Sequence, residues 1–594
     1  MLEGLSRCVI SVLNFLPLEI TSFNMKIKHT FHLPLLMIML STSVSWSQPL
    51  SGNYTIDNLL PTSGTNFQSF NDFATRLATD GVSGDVVADV NPSIVYFEQV
   101  TFHTIPGAGP TATVTIEGHL ATIEAVTTTT DRHVIRLEDV SWMTIRGMSI
   151  IYDPTSTGGF YGIHIYNSGS HLSILNNSIY MNSTSTLHGG IVASGSTTSI
   201  LDPGNFDNIL IAENSITSGG YGISVYGDAA SLATQIEIAN NYIADFADNG
   251  IYIRETDGVH ITGNLLEKIA NIISSANAIQ IAQNANVNAV IENNKFHTLQ
   301  QNNGTQTLRG IYLFNGTGHR VFNNEISASP LTTGNFTGIE IRTSATAPEI
   351  SFNVISAEDA TAATGDFIGI SEELSNTNSV LKNNLISINK PGTGTRAALK
   401  LGTTSTVTTA LQSNYNDFWV PSGNVAVKGT TNPTAYPTLA DWQSASSQDA
   451  NSVSIEPLFT SPTFLLPTNP ALNNQGTPIA WVTMDIDGNP RDPGTPDIGA
   501  YEYFVSGIHN SPIPLQATIA PNPSNGKIWI SISEFAAGEI ICTLYDYTGK
   551  KQLKQSVNGA RSFGFDLDNV AAGVYLLQIS NQESSKAFRV IKTD

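Results

Sequence analysis

Residues 250–266 read GIYIRETDGVHITGNLL. Ile251 and Ile253 alternate with polar neighbours, Val259 and Ile261 do so again after a Thr-Asp-Gly turn, and Asn264 precedes Leu265 and Leu266. Alternation with period two gives a strand one apolar face, and each apolar run is too short for a helix. The pattern recurs: YGIHIY at 161 is followed by LSILNNSI, YGISVY at 221 by IEIANNYI, and AIQIAQ at 278 by VIENNKF. GIYLF at 310 precedes VFNNEI, GIEIR at 338 precedes ISFNVI, and GISEE at 369 precedes VLKNNLI. The last asparagine of each unit falls at Asn177, Asn214, Asn241, Asn264, Asn294, Asn324, Asn353, Asn384 and Asn414, with separations of 37, 27 and 23 and then of 29 to 31. Met148 holds the equivalent place one unit earlier, and TIEGHL at 115 reads as one rung earlier still.

Two or three short strands cannot bury a core alone. Coils stacked in register can, each pairing with the next at about 4.8 Å. The expected fold is therefore all-β, a parallel β-helix of about 10–11 rungs on the order of 50 Å long. At a corner a short amide tolerates the left-handed backbone, and stacked on its like it hydrogen-bonds along the column. The asparagines are thus expected to form a structural ladder, because buried amides need partners. The pattern resembles the right-handed parallel β-helix proteins of the pectate-lyase-like group, which carry this Gly-Ile-x-Ile and Asn-Asn-x-Ile spacing; right-handedness is what that resemblance implies.

The bulk composition agrees with many short strands. Of 594 residues only 13% are charged and 41% are hydrophobic, which argues against disorder and against long charged helices. The net charge of -22 is uneven: Gln48 to Ser511 holds 16 basic and 40 acidic residues, and Pro512 onward 8 and 7. No basic stripe is available to displace counterions, so nucleic acid is excluded as a partner. A polyanionic glycan would be repelled unless local arginines or cations intervened. With only Cys8 and Cys542 there is no disulfide framework.

Export signals stand at both ends. From Met25, the expected start, Lys26 and Lys28 precede an apolar run from Phe31 to Leu40 and the small residues around Ser45-Trp46-Ser47. This is the layout of a cleavable secretory signal, and the run is too short to span a bilayer. From Pro512 the chain turns to alternating strands, APNPSNGKIWISI, IICTLYDYTGK, FDLDNVAAGVYLLQI and KAFRVIK, a sandwich of roughly 80 residues. With Pro521-Asn522-Pro523, Gly526, the turn Asp546 to Gly549, Ala572-Gly573-Val574-Tyr575 and the closing Phe588 to Lys592, it resembles the C-terminal sorting domain of proteins exported by the type IX secretion system of Bacteroidetes. That resemblance implies a Gram-negative cell, the type IX machinery as a partner, and a secreted or outer-membrane-surface location. No transmembrane segment is expected in the mature chain.

The domain reading is 1–47 upstream extension and signal peptide, 48–110 N-terminal cap, 111–420 parallel β-helix, 421–511 closing region and 512–594 sorting domain. Phe67, Phe70, Phe73, Ala74 and Leu77 stand at helical spacing before Asp80-Gly81, which predicts an amphipathic cap helix over the first exposed strand edges. In MDIDGNPRDPG, the residues Asp485, Asp487 and Asn489 are spaced like a calcium loop, but Pro490 stands where an EF-hand needs glycine. A closing hairpin is the better expectation, and neither metal nor cofactor is expected.

With the isoleucines inward, the residues between and after them face outward in vertical rows. These are His164 and Tyr166, Ser224 and Tyr226, Tyr252 and Arg254, Gln280 and Ala282, Tyr312 and Phe314, Glu340 and Arg342, Ser371 and Glu373, then Lys400. Rings suit stacking on sugars and arginine with carboxylate suits hydroxyl recognition. Tyr166, Tyr226, Tyr252, Arg254, Tyr312, Phe314, Glu340 and Arg342 are therefore the expected carbohydrate-binding residues. Hydrolysis would need carboxylates about 5 to 9.5 Å apart, and only Glu340 with Glu372 or Glu373 offers such a pair. No catalytic motif of the pectate-lyase-like enzymes is present, and His164 is expected to be exposed and without an acid partner. The reading that follows is a non-enzymatic exported β-helix that binds extended polysaccharide. The alternative is a polysaccharide lyase or glycoside hydrolase of the same fold.

Overall fold

The computed structural model describes residues 48–502 and 517–592, except 183–184, 269–274, 283–285, 299–305, 329–333, 373–377, 403–410, 430–431, 521, 523, 525, 533–538, 547–549, 559–561 and 581–584. The expected signal peptide, Glu373, and Pro521, Pro523 and Gly549 of the sorting motifs lie outside the described residues.

Each turn of chain supplies three strands, as in Asn249–Arg254, His260–Thr262 and Leu265–Lys268. The first lies parallel between Tyr221–Tyr226 and Ala276–Ile281, with Ile251 beside Ile223 and Ile279. The third faces alone form a 12-stranded sheet, so the column has about twelve turns, slightly more than expected. The additional turn is the first, whose third-face strand Val95–Phe97 carries no asparagine marker. A first-face strand also escaped the repeat pattern. His188–Ser194 pairs in parallel with Phe160–Leu175 on one side and Tyr221–Tyr226 on the other.

The asparagine side chains bond from rung to rung. Asn264 Oδ1 accepts from the backbone N of Asn241 at 2.9 Å and from its Nδ2 at 3.0 Å, while Asn264 Nδ2 donates to Ile238 O and to Asn294 Oδ1, each at 2.9 Å. The same amide-to-amide bond joins Asn177, Asn214, Asn241, Asn264, Asn294, Asn324, Asn353 and Asn384 in succession. Two details differ from the sequence reading. The ladder continues from Asn384 to Asn416 rather than Asn414. The left-handed residue is the one before each ladder asparagine: Asn176, Glu213, Asn240, Asn293, Asn323, Phe352, Asn383 and Tyr415 have φ between 52° and 60°. The corner residue turns the chain, which lets the following amide point into the column.

Glycine opens the first-face strands for a packing reason. A Cβ on Gly338 would lie 2.4 Å from Ile355 Cγ2 and 2.7 Å from Gly369 O, and Gly162, Gly190, Gly222, Gly310 and Gly369 repeat the contact with Ile179, Ile216, Ile243, Ile326 and Ile386. Alanine takes this place at Ala278 and Ala398, where the register sets Phe296 and Phe418 opposite in line with Leu266 and Ile386. A ring unbranched at Cβ leaves space that an isoleucine Cγ2 fills. Gly338→Ala is therefore expected to lower stability by about 1–3 kcal/mol, and by less in an Ile355→Phe background, as read from urea unfolding midpoints.

Both ends of the column are covered. Helix α1, Phe70–Asp80, starts on a Ser69 cap that accepts from Asp72 N at 2.9 Å and stops at Gly81 with φ of 67°. It buries Phe70, Phe73, Ala74 and Leu77, as the helical spacing predicts; Phe67 instead belongs to a two-residue strand. At the other end α2, Leu439–Ser446, inserts Trp442 into the core. Residues 453–502 do not close the column end; they run back along its third face. Thr477 exchanges hydrogen bonds with the corner residue Asn383, Met484 O accepts from the corner residue Asn323, and Glu325 accepts from Leu465 N at 3.0 Å, His297 Nε2 at 2.7 Å and the Tyr501 hydroxyl. Asp485 holds the expected hairpin, accepting from the backbone of Asp487, Asn489 and Glu502 at 2.7–2.9 Å.

The C-terminal domain has three- and four-stranded antiparallel sheets around Ile530, Cys542, Leu544, Phe565 and Leu577.

Candidate functional site

The outward side of the first face carries three rows. The middle row runs His164, Val192, Ser224, Tyr252, Gln280, Tyr312, Glu340, Ser371 and Lys400, each the Cα partner of the next. Val192 and Ser194 interrupt the aromatic series because the strand His188–Ser194 lies between Tyr166 and Tyr226. The row before each glycine also faces out: Tyr161, Gly189, Tyr221, Asn249, Asn277, Arg309 and Thr337. It stands three residues before the middle row, out of step with period-two alternation because the intervening glycine turns inward against an isoleucine Cγ2, so alternation alone does not find it.

These side chains engage one another along the stack. Tyr221 donates to Asp248 at 2.5 Å, Asn249 to Asp248 at 3.1 Å, and Asn277 to Asn249 at 2.9 Å and to Gln280 at 3.1 Å. Arg309 donates to Glu340, which also takes Arg342 at 3.2 Å. Guanidinium groups cover rings: Arg254 lies 4.4 Å from the Tyr226 centroid, Arg309 4.8 Å from Tyr312, Arg342 5.9 Å from Phe314 and Arg136 5.3 Å from Tyr166. Burial raises the pKa of Tyr221, Tyr226 and Tyr252, with Asp248 adding to it for Tyr221 and Arg254 opposing it for the other two.

An open platform of flat rings is not what this produces. Tyr226, Tyr252 and Tyr312 are only 7–8% exposed and Glu340 3%, whereas Tyr166, Arg254, Phe314 and Arg342 are half-buried. One cause is the connection 195–203, closed by a bond from Gly195 N to Asp202 O, whose Ile200 packs with Tyr161, Val192, Tyr221 and Tyr252. His164, expected to be exposed, is fully buried with Nε2 3.1 Å from Ser194 Oγ; burial first, then Arg136 and His133, hold its pKa well below the usual value. Glu372 stands in the inward row beside Ile341, so it does not pair with Glu340 across a substrate position. Among the described residues no group of three or more His, Cys, Asp or Glu is arranged to hold a metal ion. None of their helices is long and apolar enough to cross a membrane.

The stacked coils define a parallel β-helix protein with a small antiparallel C-terminal domain. Residues 161–355 match the family described as right handed beta helix region, and residues 518–593 match the secretion system C-terminal sorting domain. The chain is thus a β-helix protein with a type IX sorting domain, which supports delivery to the cell surface or beyond. No curated protein matches the sequence. Solved structures with similar coils include the surface protein and adhesin PfbA of Streptococcus pneumoniae, at 12% identity and TM-score 0.35 over 56% of this chain and 94% of that one. XylC in complex with xylose is similar at 9% identity and TM-score 0.37 over 77% and 99%. The GH136 lacto-N-biosidase from Eubacterium ramulus is similar at 9% identity and TM-score 0.34 over 59% and 67%.

Proposed function

We propose that the protein is a non-enzymatic surface or secreted binder of extended polysaccharide, and that the outward side of the first face is its binding surface. One observation carries this reading: amides, guanidinium groups and ring edges follow one another without a break from Tyr221 to Arg342. These are the groups that meet sugar hydroxyls and apolar sugar faces. From Tyr252 to Lys400 the row takes five steps, about 24 Å at strand spacing, which suits a polymer better than a small molecule. Loop 195–203 covers the Tyr221 end, so the chain lies along Arg254, Gln280, Arg309, Phe314, Arg342 and Lys400. Glu340, tied to two arginines, is poorly placed to act as an acid.

The test is retention of the purified chain on a panel of neutral and acidic polysaccharides, with reducing ends and unsaturated-product absorbance followed in parallel. Binding without cleavage is expected, weakened at least tenfold by Phe314→Ala with Arg342→Ala and unchanged by Glu237→Ala on the second face. Chain cleavage, or retention indifferent to the double substitution, would contradict the proposal.

A further inference from the structure

A cavity of about 260 Å³ lies where α1 meets the first turns of the column. Its helix wall is Asn71, Ala74, Thr75 and Ala78, residues three and four apart on one face. Its floor is Gln99, Thr101 of the strand Val100–Phe102, and His103 just after it, with Asp131 and His133 of the next turn. The helix is held off the floor by Glu98, which accepts from the backbone N of Phe70 at 3.0 Å and of Asn71 at 3.1 Å, a carboxylate at a helix N-terminus. Because Ala74 and Ala78 are small, the gap stays open.

The polar groups are fixed, and several are left with capacity. His133 Nδ1 bonds Asp131 Oδ1 at 2.7 Å, and its Nε2 lies 3.2 Å from Thr101 Oγ1. Burial, with Arg136 beside it, pushes the His133 imidazole down to about 4 against the pull of Asp131, so the ring is neutral near pH 7. Nδ1–H then donates to the carboxylate and Nε2 accepts from the threonine. Asp131 Oδ1 also takes Arg136, which offsets the carboxylate charge. Gln99 uses Nε2 on His133 O, and Asn71 uses Nδ2 on Glu98 and Gln99 O. Among the described residues, Asp131 Oδ2, Gln99 Oε1 and Asn71 Oδ1 have no protein hydrogen-bond partner. Three acceptors lining the cavity, with the Asp131 carboxylate paired to Arg136 and His103 Nδ1 3.6 Å from Glu138, call for an uncharged ligand rich in donors. The volume is below the roughly 300–1,000 Å³ of drug-sized sites.

From this geometry we infer that the cavity beneath α1 is a binding site for a single neutral sugar unit, whose hydroxyls donate to Asp131, Gln99 and Asn71. The inference does not depend on the first-face reading, since loop 195–203 and the buried His164 and Val192 lie between the two places.

Saturation-transfer NMR on the full chain with D-glucose, D-galactose and D-xylose tests it, with D-glucosamine as the charged comparison. At least one neutral sugar is expected to show transfer. That signal should vanish in Thr75→Trp with Ala78→Phe, which fill the gap from the helix side, and persist in Phe314→Ala with Arg342→Ala. Asp131→Asn should weaken binding at least tenfold in a chain whose circular dichroism spectrum shows the native strand content. Absence of transfer to all three sugars, transfer that survives the filled cavity, or a preference for glucosamine would each overturn the assignment.

Discussion

Asn294→Ala is expected to destabilise the column by about 3 kcal/mol, more than a surface substitution of similar size. In the native chain Asn294 Oδ1 accepts from Asn264 N at 3.0 Å and from Asn264 Nδ2 at 2.9 Å, and its own Nδ2 donates to Ile261 O, Glu292 O and Asn324 Oδ1 at 2.9–3.0 Å. Alanine leaves the backbone N–H of Asn264 buried without its acceptor and removes the link to the rung beyond. Each buried orphan costs about 1–3 kcal/mol. In a structure built of nearest-neighbour contacts the damage is local. Hydrogen exchange should therefore accelerate at Asn264 and its neighbours before it does at Asn177, and the urea midpoint should fall. An unchanged midpoint would mean that the ladder does not hold the rungs together.

Glu325→Ala is expected to release residues 453–502 from the third face, at a cost of about 3–5 kcal/mol for breaking a buried charge network. The carboxylate is fully buried and holds Leu465 N, His297 and Tyr501 together. Burial raises its pKa, but the bonds from His297 and Tyr501 and the charge of Lys295 outweigh this, so the net position is below the usual carboxylate value. An acid depressed in the folded state stabilises above its unfolded pKa, and the contribution is lost as pH falls through the folded value. The segment should stay docked at neutral pH, detach only below the ordinary carboxylate range, and in Glu325→Ala be cut by protease at neutral pH while α1 and the early turns survive. Equal resistance of both proteins would contradict this role.

The column was legible because its period is carried by a few residue types: isoleucine pairs for the inner face, the glycine ahead of them, and asparagine at the corner and in the ladder. What the sequence hid had physical causes. His188–Ser194 was missed because Gly189-Gly190 and Ala193 blur the apolar alternation, although Asn214 demanded a strand before it. In SNYND both Asn414 and Asn416 fit the spacing; the left-handed corner at Tyr415 decides for the second. The outward rows were read in the right register, but their exposure was not, since strand alternation says which way a side chain points and nothing about a loop such as 195–203 folding over it. The clasp of 453–502 has no period, because it follows corner residues spaced by the column rather than by its own chain. The cavity under α1 joins residues from Asn71 to His133, and no local motif links them.

The ladder, the glycine packing and the outward rows all require strands distant in sequence to lie in vertical register, and a distance measurement tests that most directly. Glu237, His260, Val290, Arg320, Glu349, Val380 and Gln412 are successive Cα partners on the second face. Six steps at strand spacing put Glu237 and Gln412 about 29 Å apart. Both are exposed. Spin labels on Glu237→Cys and Gln412→Cys, in a chain with Cys8 and Cys542 replaced by alanine, should give one narrow double electron–electron resonance distribution near that distance. A broad distribution, or one centred far from it, would show that these strands are not stacked.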